Sequence, residues 1–314
     1  MQHDASGFTH QSVLLDETLE LINASGGGDF IDATLGLGGH TEAILLANDA
    51  NTVLGIDQDR EALKSAGERL ARFGERFAAV HANFSEIAAA ADGREFDGII
   101  ADLGVSSMQL DDETRGFSFR EDAPLDMRMD VSTGRTAAEL LDEESEETIA
   151  NIIYKYGEER NSRRIAKWIV EKQGTADAIT TTRQLADLVE RASRGGKKEK
   201  IHPATRTFQA LRIAVNNEID IIEPFLRDSI KTLKTDGVLA VITFHSLEDR
   251  IVKQAFRRFS GRCECPPRQP VCTCGAEKLV EILTRKPIVP NEAELAANQR
   301  SRSAKLRACR KLAY

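Results

Sequence analysis

The sequence predicts an α/β fold, a doubly wound parallel sheet interrupted by an all-helical domain. Three observations carry this. Short apolar runs alternate with helical patterns over the first hundred residues, the alternation stops from 109 to 218, and it resumes from 219 to the C-terminus. Repeated βαβ units with apolar strands imply a parallel sheet with helices on both faces.

Each element has a local signature. Asp29 to Thr34 is a short apolar strand running into a glycine-rich turn, and Gly39 to Ala47 follows with helical spacing. Asn51 to Asp57 is a second strand. Arg60 to Phe73 is a helix with Leu63, Ala66, Leu70 and Phe73 on one face. Phe77 to His81 and Phe96 to Asp102 are the third and fourth strands. The middle of the chain carries helical patterns over Ile149 to Glu171 and Thr182 to Ala192. Pro203 lies in the first turn of a further helix, and Pro224 is expected to kink or divide the next helical segment. Beyond it come a helix from Glu223 to Leu233, a strand from Asp236 to His245 and a helix from Ser246 to Phe259. Lys278 to Thr284 and Ser303 to Cys309 are two last strands, read as an antiparallel pair. The domains are thus 1–108 with 219–314, and 109–218.

Composition bounds the function. Hydrophobic residues make up 41% and charged residues 29% of 314, which excludes disorder over the whole length. No apolar run is long enough for a membrane span, and the N-terminus lacks the pattern of a secretion signal. Five Cys do not make a disulfide scaffold, so a reducing cytoplasm is expected. A formal charge of −8 argues against a protein coated in positive charge. A local phosphate footprint is nevertheless present. Windows 191–206, 250–262 and 299–312 hold six, five and six Lys or Arg, with Glu199 as their one acid.

The most informative segment is Asp32-Ala-Thr-Leu-Gly-Leu-Gly-Gly-His-Thr41, between a strand and a helix. Its glycines permit a sharp turn and close approach of a ligand to the main chain. Asp57 ends the next strand, 21 residues after Gly36, where an acid is placed to bond a ribose. NAD and S-adenosylmethionine fit this pair equally well. The pattern is G-x-G-G rather than G-x-G-x-x-G, which disfavours a nicotinamide-dependent oxidoreductase. Asp102 and His245 also end strands and would line the same crevice. The segment Cys263-Glu-Cys265 to Cys272-Thr-Cys274 has the thiols for a tetrahedral Zn²⁺, and reads equally as a proline-stiffened loop of free thiols. No catalytic metal is expected.

Several stretches resemble one family in order along the chain. They are His10-Gln-Ser-Val-Leu-Leu-Asp-Glu, Gly36-Leu-Gly-Gly-His-Thr, Asp102-Leu-Gly-Val-Ser-Ser-Met-Gln-Leu-Asp, Arg115-Gly-Phe-Ser-Phe-Arg, Pro124-Leu-Asp-Met-Arg-Met-Asp, Tyr156-Gly-Glu-Glu-Arg, the His202-Pro-Ala-Thr-Arg block and Phe244-His-Ser-Leu-Glu-Asp-Arg. Together they resemble the bacterial 16S ribosomal RNA cytosine-N4 methyltransferases. The resemblance implies a class I, Rossmann-like, S-adenosylmethionine-dependent methyltransferase with an inserted helical domain for substrate recognition. It implies cofactor contacts from Gly38, Gly39, His40, Asp57, Phe84, Asp102 and Gln109, with Asp102 and His245 as candidate catalytic residues. The partner implied is 16S rRNA in the small ribosomal subunit, modified at N4 of a cytidine in the decoding region. A homodimer is left open. Asp102 is followed by Leu-Gly-Val instead of the Pro-Pro-aromatic run of many amino-methylating enzymes, so the base would be gripped by Phe117, Phe119 or the Phe244-His245 pair. A non-catalytic ribosome-assembly factor is the competing reading, and the full set of cofactor-loop residues weighs against it.

Overall fold

A computed structural model describes residues 12–105, 109, 112–193, 202–263, 265, 266, 269–271, 273 and 276–313. The chain divides into two compact units. One is Met1–Gly104 with Asp220–Tyr314, and the other is Val105–Ile219.

The first unit is built on a seven-stranded sheet. Its strands are β1 (Asp29–Asp32), β2 (Thr52–Asp57), β3 (Phe77–His81), β4 (Phe96–Asp102), β5 (Leu233–Thr243), β6 (Val280–Ile282) and β7 (Lys305–Lys311), in the order β3-β2-β1-β4-β5-β7-β6. The first five run parallel, and β7 is antiparallel to both β5 and β6. The last seven residues of β5 are all buried, as a strand covered on both faces requires. Among the helices, α1 (Leu15–Leu21) precedes β1, α2 (Gly39–Ala47) follows it, α3 (Arg60–Leu70) links β2 to β3 and α4 (Ile87–Ala91) links β3 to β4. Asp59 starts α3 by accepting the Glu61 N–H at 3.0 Å.

Strand order reverses between β1 and β4, because β2 and β3 lie to one side of this pair and β5 to the other. The carboxyl ends of β1 and β4 therefore open onto the crevice where such sheets bind ligands.

The second unit is helical among its described residues. It comprises α5 (Ala137–Glu143), α6 (Glu146–Gly157), α7 (Ser162–Val170), α8 (Thr182–Ser193) and α9 (Ala204–Asn216), around a core that includes Leu140, Ile153, Ile165, Leu185, Phe208 and Leu211. The helical pattern expected over Ile149 to Glu171 is two helices. Glu158 takes a left-handed conformation (φ 51°), and its N–H caps the carbonyls of Ile153 and Tyr154. Gly157 stands at this break because a Cβ there would meet the Arg206 carbonyl of α9.

The chain returns through α10 (Ile222–Thr232) into β5, and α11 (Ser246–Phe259) follows; α12 (Glu292–Ala297) precedes β7. Pro224 neither kinks nor divides α10. It sits in the first turn, where its missing N–H has no helical partner to lose.

Leu211 is fully buried in the helical core, and Trp168, the single Trp, packs against the same core. Leu211→Ala should destabilise this unit by about 2–5 kcal/mol. Urea unfolding followed by Trp168 fluorescence measures it, and an unchanged midpoint would contradict the assigned core.

Candidate active site at the strand ends

Backbone hydrogen bonds first bring the strand ends together. The Ala33 N–H donates to the Ile100 carbonyl, Leu35 N–H to Ile56 and Leu103 N–H to Ile242, each at 2.9 Å. The Asp102 N–H donates to Thr34 Oγ1 at 2.6 Å, so the end of β1 is tied to the end of β4.

The glycine turn then sets the loop. Gly38 has φ +77°, a conformation L side chains rarely adopt, and a Cβ on it would lie 2.9 Å from Leu70 Cδ1. At Gly39 the space for a Cβ is taken by Ser12 Oγ. His40 opens α2 but is buried, and its Nε2 lies 3.0 Å from the Val13 carbonyl, to which it donates. Burial pushes its pKa down to about 4, so the ring is neutral at pH 7. His40 thus pins the segment before α1 onto the loop.

Three carboxyls converge beside this turn. Asp57 Oδ2 accepts the Gly36 N–H at 2.7 Å, and its Oδ1 accepts the Asp59 N–H at 2.8 Å. Asp32 is buried and accepts from Thr41 Oγ1 at 2.8 Å and from the Thr34 N–H at 3.3 Å. Burial raises both carboxyls to about 6, and the Asp57 value is raised further by its acidic neighbours Asp59 and Asp32. Asp102 is raised well above the ordinary range, first by burial and then by the charges of Asp32 and Glu248. Its Oδ1 is buried and accepts no hydrogen bond among the described residues. Among the described residues, no Lys or Arg is a cause of the shift at any of the three carboxyls.

His245 stands two residues beyond β5 and is the N-cap of α11. Its Nδ1 accepts the Glu248 N–H at 3.4 Å, and its Nε2 lies 3.0 Å from Glu248 Oε1. Glu248 is buried, and its Oε2 accepts the N–H groups of Phe244 and His245 at 2.8 and 3.2 Å. Phe84 follows β3 and meets Phe225 edge-on at 5.0 Å. Gln109 belongs to the second unit, where it is buried.

Of the residues expected from sequence, Gly38, Gly39, His40, Asp57, Phe84, Asp102 and His245 all lie in the first unit, at or just beyond carboxyl strand ends. Asp32 and Glu248 were missed, although Asp32 ends its strand as Asp57 and Asp102 do. Two aromatics offered as base clamps are otherwise engaged. Phe117 is buried in the helical core, and Phe119 packs on His202 and Phe208 at 4.8 and 4.9 Å. Phe244 is half-buried beside Gly104.

The basic windows fare unevenly. Arg194, Lys197, Lys198, Glu199 and Lys200 lie outside the described residues. In the C-terminal window, Lys305 and Arg307 both bond Asp249, at 3.1 and 2.7 Å. Lys311 donates to the carbonyls of Lys231 and Leu233. These three cations are engaged inside the fold, where they help hold β7 in the sheet. In the cysteine segment, the Cys265 N–H donates to Cys263 Sγ at 3.4 Å and the Thr273 N–H to Cys265 Sγ at 3.3 Å. Cys272 and Cys274 lie outside the described residues. Cys309 is buried in β7, which raises its thiol pKa strongly and leaves it inert.

The profile of the MraW methylase family matches residues 7–312. A protein from Syntrophotalea carbinolica named ribosomal RNA small subunit methyltransferase H is 52% identical over 310 residues, covering 97% of this chain and 98% of its own. Relatives of the same name from Geotalea uraniireducens and Symbiobacterium thermophilum are each 49% identical. They cover 98% and 97% of this chain, and 100% and 97% of their own. A solved rRNA methylase from Streptococcus thermophilus aligns over 98% of this chain and 100% of its own, with TM-score 0.43 and 10% identity.

A carboxyl whose folded pKa exceeds its unfolded value binds more protons when folded, so it withdraws stability as pH rises between the two values. For Asp32 the window runs from 3.8 to about 6. Wild type should therefore lose stability relative to Asp32→Asn across it, as read from thermal unfolding of both proteins at several pH values. A pH-independent difference would contradict the raised Asp32 pKa.

Proposed function

Because the chain belongs to the MraW methylase family, we propose that it transfers a methyl group from S-adenosylmethionine to N4 of a cytidine in 16S rRNA. One observation carries this reading: carboxyls with no basic partner among the described residues sit at the strand ends beside a glycine turn. A compact cationic ligand suits such a place, since it would offset charges the protein leaves unneutralised. S-adenosylmethionine supplies a fixed positive sulfonium and a methyl group activated for transfer. The residues fit it. Asp57, already fixed by two backbone N–H groups, has oxygen lone pairs left for ribose hydroxyls. The turn at Gly38 and Gly39 lets a ligand come close to the main chain. Phe84 follows β3, where it would border the adenine. The names of the relatives support ribosomal RNA as substrate, and the family-like sequence blocks along the chain support the cytosine amine. The small subunit as the binding context is part of the same proposal.

The chemistry asked of the side chains is chiefly electrostatic. The exocyclic amine of cytosine has its lone pair delocalised into the ring and is a poor nucleophile. An acceptor on its N–H returns electron density to nitrogen and orients the lone pair. Asp102 Oδ1 is the free acceptor at the strand ends. The nitrogen gains positive charge as it takes the methyl, and then loses a proton. Asp102, whose carboxyl holds a proton more readily than an ordinary aspartate, stabilises that charge and can accept the proton. His245 and Glu248 form a positioning pair. They fix the start of α11 and add negative charge near Asp102. Phe244, half-buried beside Gly104, is the aromatic best placed in this unit to stack on the base.

Asp102→Asn should slow single-turnover methyl transfer about a hundredfold at saturating cofactor and RNA. It should also raise the melting temperature of the free protein at alkaline pH, because an amide cannot take on the charge that burial and the neighbouring acids disfavour there. A rate within a few-fold of wild type would leave Asp102 a ligand-binding residue only.

A further inference from the structure

A second feature of the first unit lies away from the strand ends. A cavity of about 800 Å³ is lined by Lys253, Arg257, Arg262, Lys278, Arg285 and Arg307, with Glu281 as its one acid. Lys253 and Arg257 are four residues apart and so share a face of α11. Arg262 follows that helix, Lys278 and Arg285 flank β6, and Arg307 lies on β7. The far wall is tied to the helix end, because the Leu279 N–H donates to the Phe259 carbonyl at 2.7 Å and Ser260 bridges to Lys278.

The cations here differ from those elsewhere in the unit. Lys305, Arg307 and Lys311 are bound to partners inside the fold. Lys253, Arg257, Arg262, Lys278 and Arg285 are exposed, and none has an ion pair among the described residues. Five unneutralised cations around one concavity repel one another, and an anion relieves that repulsion. The one aromatic in the lining, Phe256, is buried at 1% exposure and offers no face for stacking a base. The cavity is thus equipped to hold phosphates and not to read bases. It also stands apart from the site of chemistry. Lys253 and Arg257 lie eight and twelve residues beyond the His245 cap, about 12 and 18 Å along α11 at the usual helical rise.

We propose that this cavity is a second RNA-binding site, which grips the sugar–phosphate backbone of the rRNA at a distance from the base being modified. The proposal rests on the reading of the chain as an rRNA methyltransferase. An acidic protein chain is the competing occupant, and the structure favours RNA because the lining is almost wholly cationic and lacks an exposed apolar anchor of the kind that protein interfaces use.

The test uses the full chain with Lys253→Gln, Arg257→Gln, Lys278→Gln and Arg285→Gln combined, and 16S rRNA as the probe. Binding is measured over a range of KCl concentrations, with S-adenosylmethionine affinity as the check on folding. Each lost phosphate contact should reduce the slope of log affinity against log salt by about 0.7–0.9, so the slope should fall by roughly 3. RNA affinity at low salt should drop tenfold or more, and cofactor affinity should stay. The pair Lys253→Arg and Lys278→Arg should keep the wild-type slope. An identical slope in wild type and the fourfold Gln variant would overturn the proposal, as would loss of self-association, seen by sedimentation, without loss of RNA affinity. Wild type that methylates no rRNA would instead overturn the underlying reading. Wild type that methylates rRNA, beside an unaltered Gln variant, would overturn the cavity alone.

Discussion

Burial of negative charge at the carboxyl ends of β1, β2 and β4 is the constraint around which the first unit is arranged. Asp32, Asp57 and Asp102 are all raised above the ordinary carboxylate range, and the main cause in each is loss of water. Such groups subtract from stability, so other parts of the sheet must offset them. The uninterrupted apolar run of β5 and the fully buried Ile31, Ile56 and Ile99 do so. Binding would convert the same cost into affinity, because a cation placed among the carboxyls favours their charged forms. A site that is unfavourable when free and favourable when filled is expected where function, not stability, has shaped the residues.

The parts that could be read from sequence were those with local signals. Apolar runs of four to seven residues marked β1 to β4, and β1, β2 and β4 bury residues on both faces while the edge strand β3 does not. The limits of α2 and α11 also match the sequence reading, and the structure adds a His245–Glu248 capping box at the start of α11. The antiparallel pairing of the last two strands also follows the expected pattern. Asp32 and Glu248 escaped notice for a different reason. Their effect depends on β1, β4 and β5 being neighbours, and Asp32 and Glu248 are far apart in the chain.

Charge counting alone does not show which cations the fold itself occupies. In the C-terminal basic window, β7 is an interior strand between β5 and β6. Asp249 and backbone carbonyls take up its Lys305, Arg307 and Lys311. The window at 250–262 reads differently because α11 turns Lys253 and Arg257 outward. Likewise, hydrophobic period alone could not show the break between α6 and α7, which needs Glu158 in a left-handed conformation. α11 joins both themes, since its first residue follows the His245 cap at the strand ends and its last turn lines the cationic cavity.

The central claim is that a cationic cofactor is received by carboxyls that hold protons in its absence. Calorimetric titration of the protein with S-adenosylmethionine near pH 6, in buffers of different ionisation enthalpy, counts the protons exchanged on binding. With Asp32 and Asp57 near half-ionised at that pH, binding should release protons to the buffer. S-adenosylhomocysteine, which lacks the sulfonium charge, should release fewer. Equal proton exchange for the two ligands, or none for either, would contradict the account.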